Sequence, residues 1–112
     1  MAKAKVLIVE DDGIIAMDLE SRLKSFGYSV PGIVSYGEDA VKKVEECRPD
    51  LVFMDIVLKG EIDGIEAADQ IRTQFNIPVV FVTAHMDEDR LERAKLTLPF
   101  GYVIKPFSGQ RA

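Results

Sequence analysis

Four short runs of apolar, largely β-branched residues recur along the chain, and segments with helical spacing of apolar residues separate them. These runs are Val6–Val9, Leu51–Met54, Val79–Val82 and Tyr102–Ile104. Because they are apolar at every position rather than at alternate ones, they predict strands of a parallel sheet that is covered on both faces. A weaker strand is predicted from Tyr28 to Ser35, where Pro31 and Gly32 indicate an edge or a bend.

The intervening segments predict four helices. They run from Ile14 to Phe26, with Gly27 as a stop; from Ala40 to Cys47; from Ile65 to Phe75; and, with a weak and polar pattern, around Leu91 and Ala94. Strands and helices therefore alternate from a first strand to a fifth. This order predicts a doubly wound α/β domain with right-handed crossovers and one five-stranded parallel sheet.

Composition narrows the class of protein without identifying an activity. The chain has 112 residues, 47% of them hydrophobic, which fits a single domain with a sizeable core. Its 14 Lys and Arg residues against 19 Asp and Glu residues disfavour a nucleic-acid-binding surface, because phosphates would be repelled. Cys47 is the single cysteine, and neither a membrane span nor a signal peptide is visible. We therefore expect a cytoplasmic protein that does not contact a membrane.

Polar residues with chemical potential follow the predicted strands, where function is concentrated in sheets of this kind. Carboxylates brought to one edge repel each other, so we expect a divalent cation there, and hard oxygen ligands favour Mg²⁺. A carboxylate can also be the nucleophile toward phosphorus, with a hydroxyl and an ammonium group holding the phosphoryl oxygens. The residues concerned are Glu10, Asp11 and Asp12, then Asp55, then Thr83 and His85, then Lys105.

Together these motifs resemble the signature of response regulator receiver domains, the phosphoacceptor domains of two-component signalling, including the chemotaxis regulators. The resemblance covers nearly the whole chain, although each motif alone is weak. It implies a flavodoxin-like fold with strand order 2-1-3-4-5. The matching segments are Val6–Asp12, Phe53–Asp55, Val82–Ala84 and Tyr102–Phe107.

The resemblance implies a phosphoacceptor and a metal site. Asp55 would take a phosphoryl group from a sensor histidine kinase or a phosphotransfer protein. Asp11, Asp55 and the backbone carbonyl of Val57 would bind Mg²⁺ directly, and Glu10 would act on the metal through water. Such a domain is a signalling switch that turns over no external substrate.

The resemblance also implies a switch. Thr83 and Lys105 would bind the phosphoryl group, and Thr83 would shift toward it while Tyr102 swings inward. The surface of the fourth helix and fifth strand would then change for a downstream effector domain or protein. The sequence fits equally well an interpretation in which Tyr102 is no switch and only packs as an ordinary strand residue.

The segment after Asp55 departs from the usual family pattern. Three residues and then Pro-Gly are usual there, whereas this chain has Lys59-Gly60, and the stretch up to Gly64 is one residue longer. Two residues of this segment, Val57 and Lys59, are therefore candidates for tuning the lifetime of the phosphoryl group. The resemblance places His85 beside the site, so it is a third candidate.

Several of these residues also have a purely structural interpretation. Asp12 stands directly before a predicted helix and is best interpreted as its N-cap. His85 is the single histidine, and a lone histidine in a loop is more often neither a general base nor a metal ligand. Cys47 lies on the apolar stripe of its helix and is expected in the core.

Two other classes of protein fit the sequence less well. A nucleotide-binding α/β domain would carry a glycine-rich loop after the first strand, where this chain has Glu10, Asp11, Asp12 and Gly13. An Mg²⁺-dependent hydrolase with an aspartate nucleophile would generally need a second aspartate two residues after Asp55, and Val57 stands there.

The chain stops where the resemblance implies that the final helix of the domain begins. We expect residues 1–112 to be a single receiver domain whose final helix is missing or cut after about residue 107, because only five residues follow Phe107. The apolar surface left open should lead to self-association, such as a homodimer, or mark a fragment of a longer regulator, which we favour. An extension of about 10–15 residues, one ordinary helix, should raise the free energy of unfolding in urea. A chain that stays monomeric at millimolar concentration and gains no stability from the extension would contradict this.

Overall fold

The computed structural model describes residues 4–58, 60–83, 92–93 and 101–104. The elements in that part of the chain are β1 (Val6–Val9), α1 (Gly13–Ser25), β2 (Ile33–Val34), α2 (Gly37–Cys47), β3 (Leu51–Asp55), α3 (Gly64–Phe75), β4 (Val79–Thr83) and β5 (Gly101–Ile104). The five strands are parallel and form one sheet in the order β2-β1-β3-β4-β5, which confirms the expected fold. None of the helices among these residues is long and apolar enough to cross a membrane.

Helices cover both faces of the sheet, which explains why the strands are apolar at every position. On β1, Leu7 and Val9 belong to the larger core cluster together with buried residues of α2 and α3. Val6 and Ile8 belong to the second cluster, which contains the buried residues of α1. Because successive strand residues point to opposite faces, both sets must be apolar to be buried.

Local sequence signals fix the helix ends. The Asp12 carboxylate accepts hydrogen bonds from the backbone N–H groups of Ile14 and Ile15, at 3.0 and 3.3 Å, and this confirms Asp12 as the N-cap of α1. The helices α2 and α3 both end at residues in the left-handed conformation, Arg48 and Asn76, with φ of 47° and 56°. The three helices thus begin and end within a few residues of their predicted limits.

The edge strand is much shorter than the sequence pattern predicts. Only Ile33 and Val34 pair with β1 as a strand, and Ser29 forms an isolated bridge with Lys5. The prediction of a strand from Tyr28 to Ser35 is therefore wrong in extent, although its position at the edge is confirmed. Proline has no N–H group for a ladder and glycine weakens one, so Pro31-Gly32 interrupts this segment.

The predicted fourth helix and the C-terminal segment fall mostly outside the described residues. Glu92 and Arg93 are helical, in agreement with a helix around Leu91 and Ala94. On α1, the apolar side chains of Ile14 and Met17 are exposed. The expectation of a missing final helix stays a prediction, since residues 105–112 are not among those described.

Arg93 connects this helical turn to the start of α3. Its guanidinium lies 3.0 Å from the Asp63 carboxylate, whose other oxygen accepts a hydrogen bond of 2.9 Å from the backbone N–H of Glu66. Asp63 is the N-cap of α3, so one carboxylate both begins that helix and joins it to the segment that follows β4. Both side chains are partly exposed, which limits the pair to about 1 kcal/mol or less.

The β3–α3 loop, which comprises Ile56–Leu58 and Gly60–Asp63 in the described structure, ends against the last residue of β3. The N–H of Gly64 donates to the carbonyl of Ile56 at 3.0 Å. A Cβ atom on Gly64 would overlap the backbone carbonyl oxygen of Asp55 and lie 3.0 Å from the Cα of Ile56. Position 64 therefore has room only for glycine, because backbone atoms cannot yield as a flexible side chain can.

Gly64→Ala should therefore destabilise the fold by about 3 kcal/mol or more in urea unfolding, since the new methyl group forces the backbone of β3 to move. The matched control is Gly13→Ala, at the first residue of α1, where a Cβ meets no atom within 4 Å. That control should leave stability within about 0.5 kcal/mol of wild type or raise it slightly. Equal effects of the two substitutions would contradict the close approach at Gly64.

Candidate functional site

The strand register brings the polar residues that follow the strands to one edge of the sheet. Val9 on β1 pairs with Met54 on β3, so Glu10 and Asp55, the next residues of each strand path, lie side by side. Asp55 in turn pairs with Val82, and Thr83 follows at the end of β4. All these positions lie at the carboxyl ends of parallel strands, where ligands bind in such sheets.

Three carboxylates meet at this edge. One oxygen of each of Glu10, Asp11 and Asp55 lies within 4.8 Å of an oxygen of the other two. Glu10 and Asp55 are 3% and 5% exposed, whereas Asp11 is half-buried. Like charges at this distance repel, and burial weakens their hydration, so the cluster fits a divalent cation that prefers oxygen ligands.

Backbone N–H groups orient two of the three carboxylates. The N–H of Asp12 donates to Glu10 Oε2 at 3.1 Å, and the N–H of Val57 donates to Asp55 Oδ1 at 3.3 Å. Both donors come from the residue two positions further along the chain. Each carboxylate is thus held by the turn that immediately follows its own strand, and these bonds offset part of the cost of clustered negative charge.

The structure separates Asp11 from Asp12, which the sequence alone presents as neighbours. Asp11 belongs to the carboxylate cluster. Asp12 is exposed and caps α1, with its Oδ1 accepting from the first turn of that helix. The adjacent acids therefore have different surroundings, Asp11 in the carboxylate cluster and Asp12 at the first turn of α1.

The structure describes some of the other predicted site residues in full, some by their backbone, and some not at all. Val57 follows β3 at the start of the β3–α3 loop and is 48% exposed. Of Thr83 and Tyr102 the structure describes the backbone: Thr83 ends β4 and pairs with Ile104, and Tyr102 pairs with Phe81. Three predicted residues lie outside the described part of the chain, namely Lys59, His85 and Lys105.

Sequence reasoning missed three residues in or against the β3–α3 loop and its junction with α3. They are Gly64, Arg93, which pairs with Asp63, and Glu38, whose Oε2 accepts a hydrogen bond of 3.5 Å from the N–H of Glu61. Gly64 had a usable signal, because a glycine directly after a helix-capping aspartate and near a strand end suggests a close backbone approach. Arg93 and Glu38 had none, since an isolated charged residue in a polar helix is ordinarily a solvated one.

With this geometry in place, comparison with known proteins identifies the family. The sequence model of the response regulator receiver domain matches residues 6–112. The chain therefore belongs to the response regulator receiver domain family. It is a regulatory signalling domain of the kind that works with kinases and effector domains in two-component systems.

Among curated proteins, the chain is 40% identical over 104 residues to the transcriptional regulatory protein PdtaR of Mycobacterium tuberculosis, covering 93% of this chain and 50% of that protein. It is 35% identical over 104 residues to the phyllosphere-induced regulator PhyR of Methylorubrum extorquens, covering 92% and 38%. The chain thus spans half or less of the length of these two relatives.

Solved structures agree with the fold. The signal receiver domain of a modulated diguanylate cyclase from Desulfovibrio desulfuricans superposes with a TM-score of 0.90 at 41% identity, covering 94% of this chain and 83% of that one. The Vibrio cholerae chemotaxis protein CheY4 superposes with a TM-score of 0.84 at 27% identity, covering 95% and 89%.

The different surroundings of the adjacent acids predict opposite effects on stability in the absence of metal. Asp11→Ala should raise the free energy of unfolding by roughly 1 kcal/mol, because it removes repulsion within the carboxylate cluster. Asp12→Ala should lower it by about 1 kcal/mol, because α1 loses its cap. Urea titrations of both variants in a chelator measure the two effects, and a loss of stability in both would contradict this assignment.

Proposed function

We propose that Asp55 accepts a phosphoryl group and that the modified domain acts as a switch. The observation that carries the proposal is a buried Asp55 carboxylate whose oxygen lies within 4.8 Å of carboxylate oxygens of Glu10 and Asp11. A carboxylate in such a site is a nucleophile that a cation can bring to a phosphoryl group despite the charge of both.

The proposed reaction balances with a phosphohistidine donor. An oxygen of Asp55 attacks phosphorus, an O–P bond forms, and the N–P bond to the donor's imidazole breaks. The imidazole nitrogen keeps the electron pair, and a proton on the other ring nitrogen leaves the released imidazole neutral. We propose a sensor histidine kinase or a phosphotransfer protein as that donor, since receiver domains work with such partners.

The cation we propose is Mg²⁺. Asp11, Asp55 and the backbone carbonyl of Val57 would hold it, and Glu10 would act through water. Oxygen donors of this number and hardness suit Mg²⁺, which keeps several waters. When bound, the metal supplies positive charge that neutralises the carboxylates and the phosphoryl oxygens.

Residues at the neighbouring strand ends would complete the site. Thr83, at the end of β4, would donate its hydroxyl to a phosphoryl oxygen, and Lys105, directly after β5, would add its ammonium charge. Tyr102 on β5 would move with Thr83 as the switch, and Lys59 and His85 would adjust the phosphoryl lifetime.

We propose that the domain turns over no external substrate and passes its state to an effector domain or protein through the surface of β5 and the segment before it. Bacterial relatives named as transcriptional regulators support this output and a cytoplasmic location. The second candidate, an aspartate-nucleophile hydrolase, is disfavoured because Val57 occupies the position of its acid/base aspartate.

Asp55→Asn should abolish phosphorylation while preserving the fold, because the amide matches the carboxylate in shape but is not a nucleophile. The measurement is intact-protein mass after incubation with acetyl phosphate and Mg²⁺, where wild type should gain the mass of one phosphoryl group. Asp69→Asn, on the exposed side of α3, is the control and should behave as wild type.

A variant Asp55→Asn that still gains this mass would contradict the assignment of the acceptor. Inorganic phosphate released continuously over many turnovers, rather than about one equivalent per chain, would favour the hydrolase instead.

A further inference from the structure

We propose that Glu38, on the first turn of α2, is a positioning residue for the phosphoryl-transfer site. Its carboxylate holds the middle of the β3–α3 loop and thereby fixes Val57, whose carbonyl is a proposed metal ligand. This inference rests on the function proposed above for Asp55, and it extends that function to a residue on another element.

The Glu38 carboxylate lies directly against the backbone of Gly60. A Cβ atom at Gly60 would be 2.9 Å from Glu38 Oε2, 3.0 Å from Oε1, and 3.0 Å from Cδ1 of Tyr36. Gly60 also has a φ of +103°, which side chains rarely adopt. Glycine at this position therefore allows both the turn and the close approach of the carboxylate.

Hydrogen bonding and burial also join Glu38 to the loop. The N–H of Glu61 donates to Glu38 Oε2 over a long 3.5 Å. The other oxygen, Oε1, is buried and has no hydrogen-bond partner among the described residues. One oxygen of the Glu38 carboxylate is therefore covered by protein, while the other accepts a long, exposed hydrogen bond from the loop.

The start of α2 makes a second contact with the same loop. A Cβ atom at Gly37 would be 2.9 Å from Cγ1 and 3.0 Å from the carbonyl oxygen of Ile62. Ile62 is partly buried against the larger core cluster. Gly37 and Glu38 together thus dock the first turn of α2 on the second half of the loop, between Gly60 and Ile62.

The two ends of the loop are tied to their own neighbours in the chain. At one end the N–H of Val57 donates to Asp55, and at the other Gly64 donates to Ile56. Glu38 approaches between these ends, from an element 23 residues away along the chain. Val57 itself is exposed and donates a hydrogen bond of 3.3 Å to Asp55, while its neighbours Ile56 and Leu58 pack on the core. We infer that the Glu38 contact further limits the movement of this part of the loop and so keeps the carbonyl of Val57 placed for a cation.

Loss of a residue that orients a ligand should weaken metal binding more than it slows the reaction at saturating metal. The experiment measures the initial rate of phosphorylation by acetyl phosphate as a function of Mg²⁺ for wild type and four variants. In Glu38→Ala the half-saturating Mg²⁺ concentration should rise roughly tenfold, while the rate at saturation stays within about twofold.

Three further variants separate contact from charge. Glu38→Gln keeps the shape and an acceptor oxygen, so it should stay near wild type. Glu38→Asp keeps the charge but withdraws the carboxylate by one methylene, so it should behave as Glu38→Ala. Asp39→Ala removes an exposed acid from the same helical turn and should have no effect on the Mg²⁺ dependence.

Unchanged Mg²⁺ dependence in Glu38→Ala or Glu38→Asp would overturn the proposal. Equal losses in Glu38→Gln and Asp39→Ala would overturn it too, because the effect would then come from charge. Should wild type take no phosphoryl group, the proposed function fails, and calorimetric Mg²⁺ dissociation constants of the same proteins still decide whether Glu38 positions the loop.

Discussion

The parallel register of β1 and β3 is the constraint on which the rest of the molecule depends. β1 is buried on both faces, and β3 has buried residues on one face and the partly buried Leu51 and Phe53 on the other, so both strands lie in the middle of the sheet. Pairing Val9 with Met54 then forces Glu10 and Asp55 to the same edge. The charge repulsion at the candidate site is a direct consequence of how the core is buried.

The turns after these two strands make that arrangement tolerable. Asp12 and Val57 each donate a backbone N–H to the preceding carboxylate, and Asp12 in addition begins α1. The path after β3 returns so closely that Gly64 lies against the Asp55 carbonyl. The backbone groups that form these turns thus also hold two carboxylates of the candidate site. Functional sites commonly contain locally unfavourable interactions that the surrounding structure must offset.

The β3–α3 loop joins the candidate site to elements that are distant in the sequence. It contacts the first turn of α2 through Glu38, and its last residue, Asp63, pairs with Arg93 beyond β4. The loop that follows Asp55 therefore touches two other elements, one before it and one after it in the chain. Both contacts are made by charged side chains at or near the surface, so they can break without disturbing the buried core.

Sequence by itself determined the features that depend on neighbouring residues. The apolar runs predicted four of the strands, the Asp12 cap began α1, and the order of elements placed the acids at one edge, because strand and helix periodicity and capping are local. Tertiary structure alone decided that β2 shrinks to Ile33–Val34, that Glu38 closes on Gly60, and that Asp63 meets Arg93. Those contacts join residues far apart in the chain, and their geometry arises only when the sheet and its helices have packed.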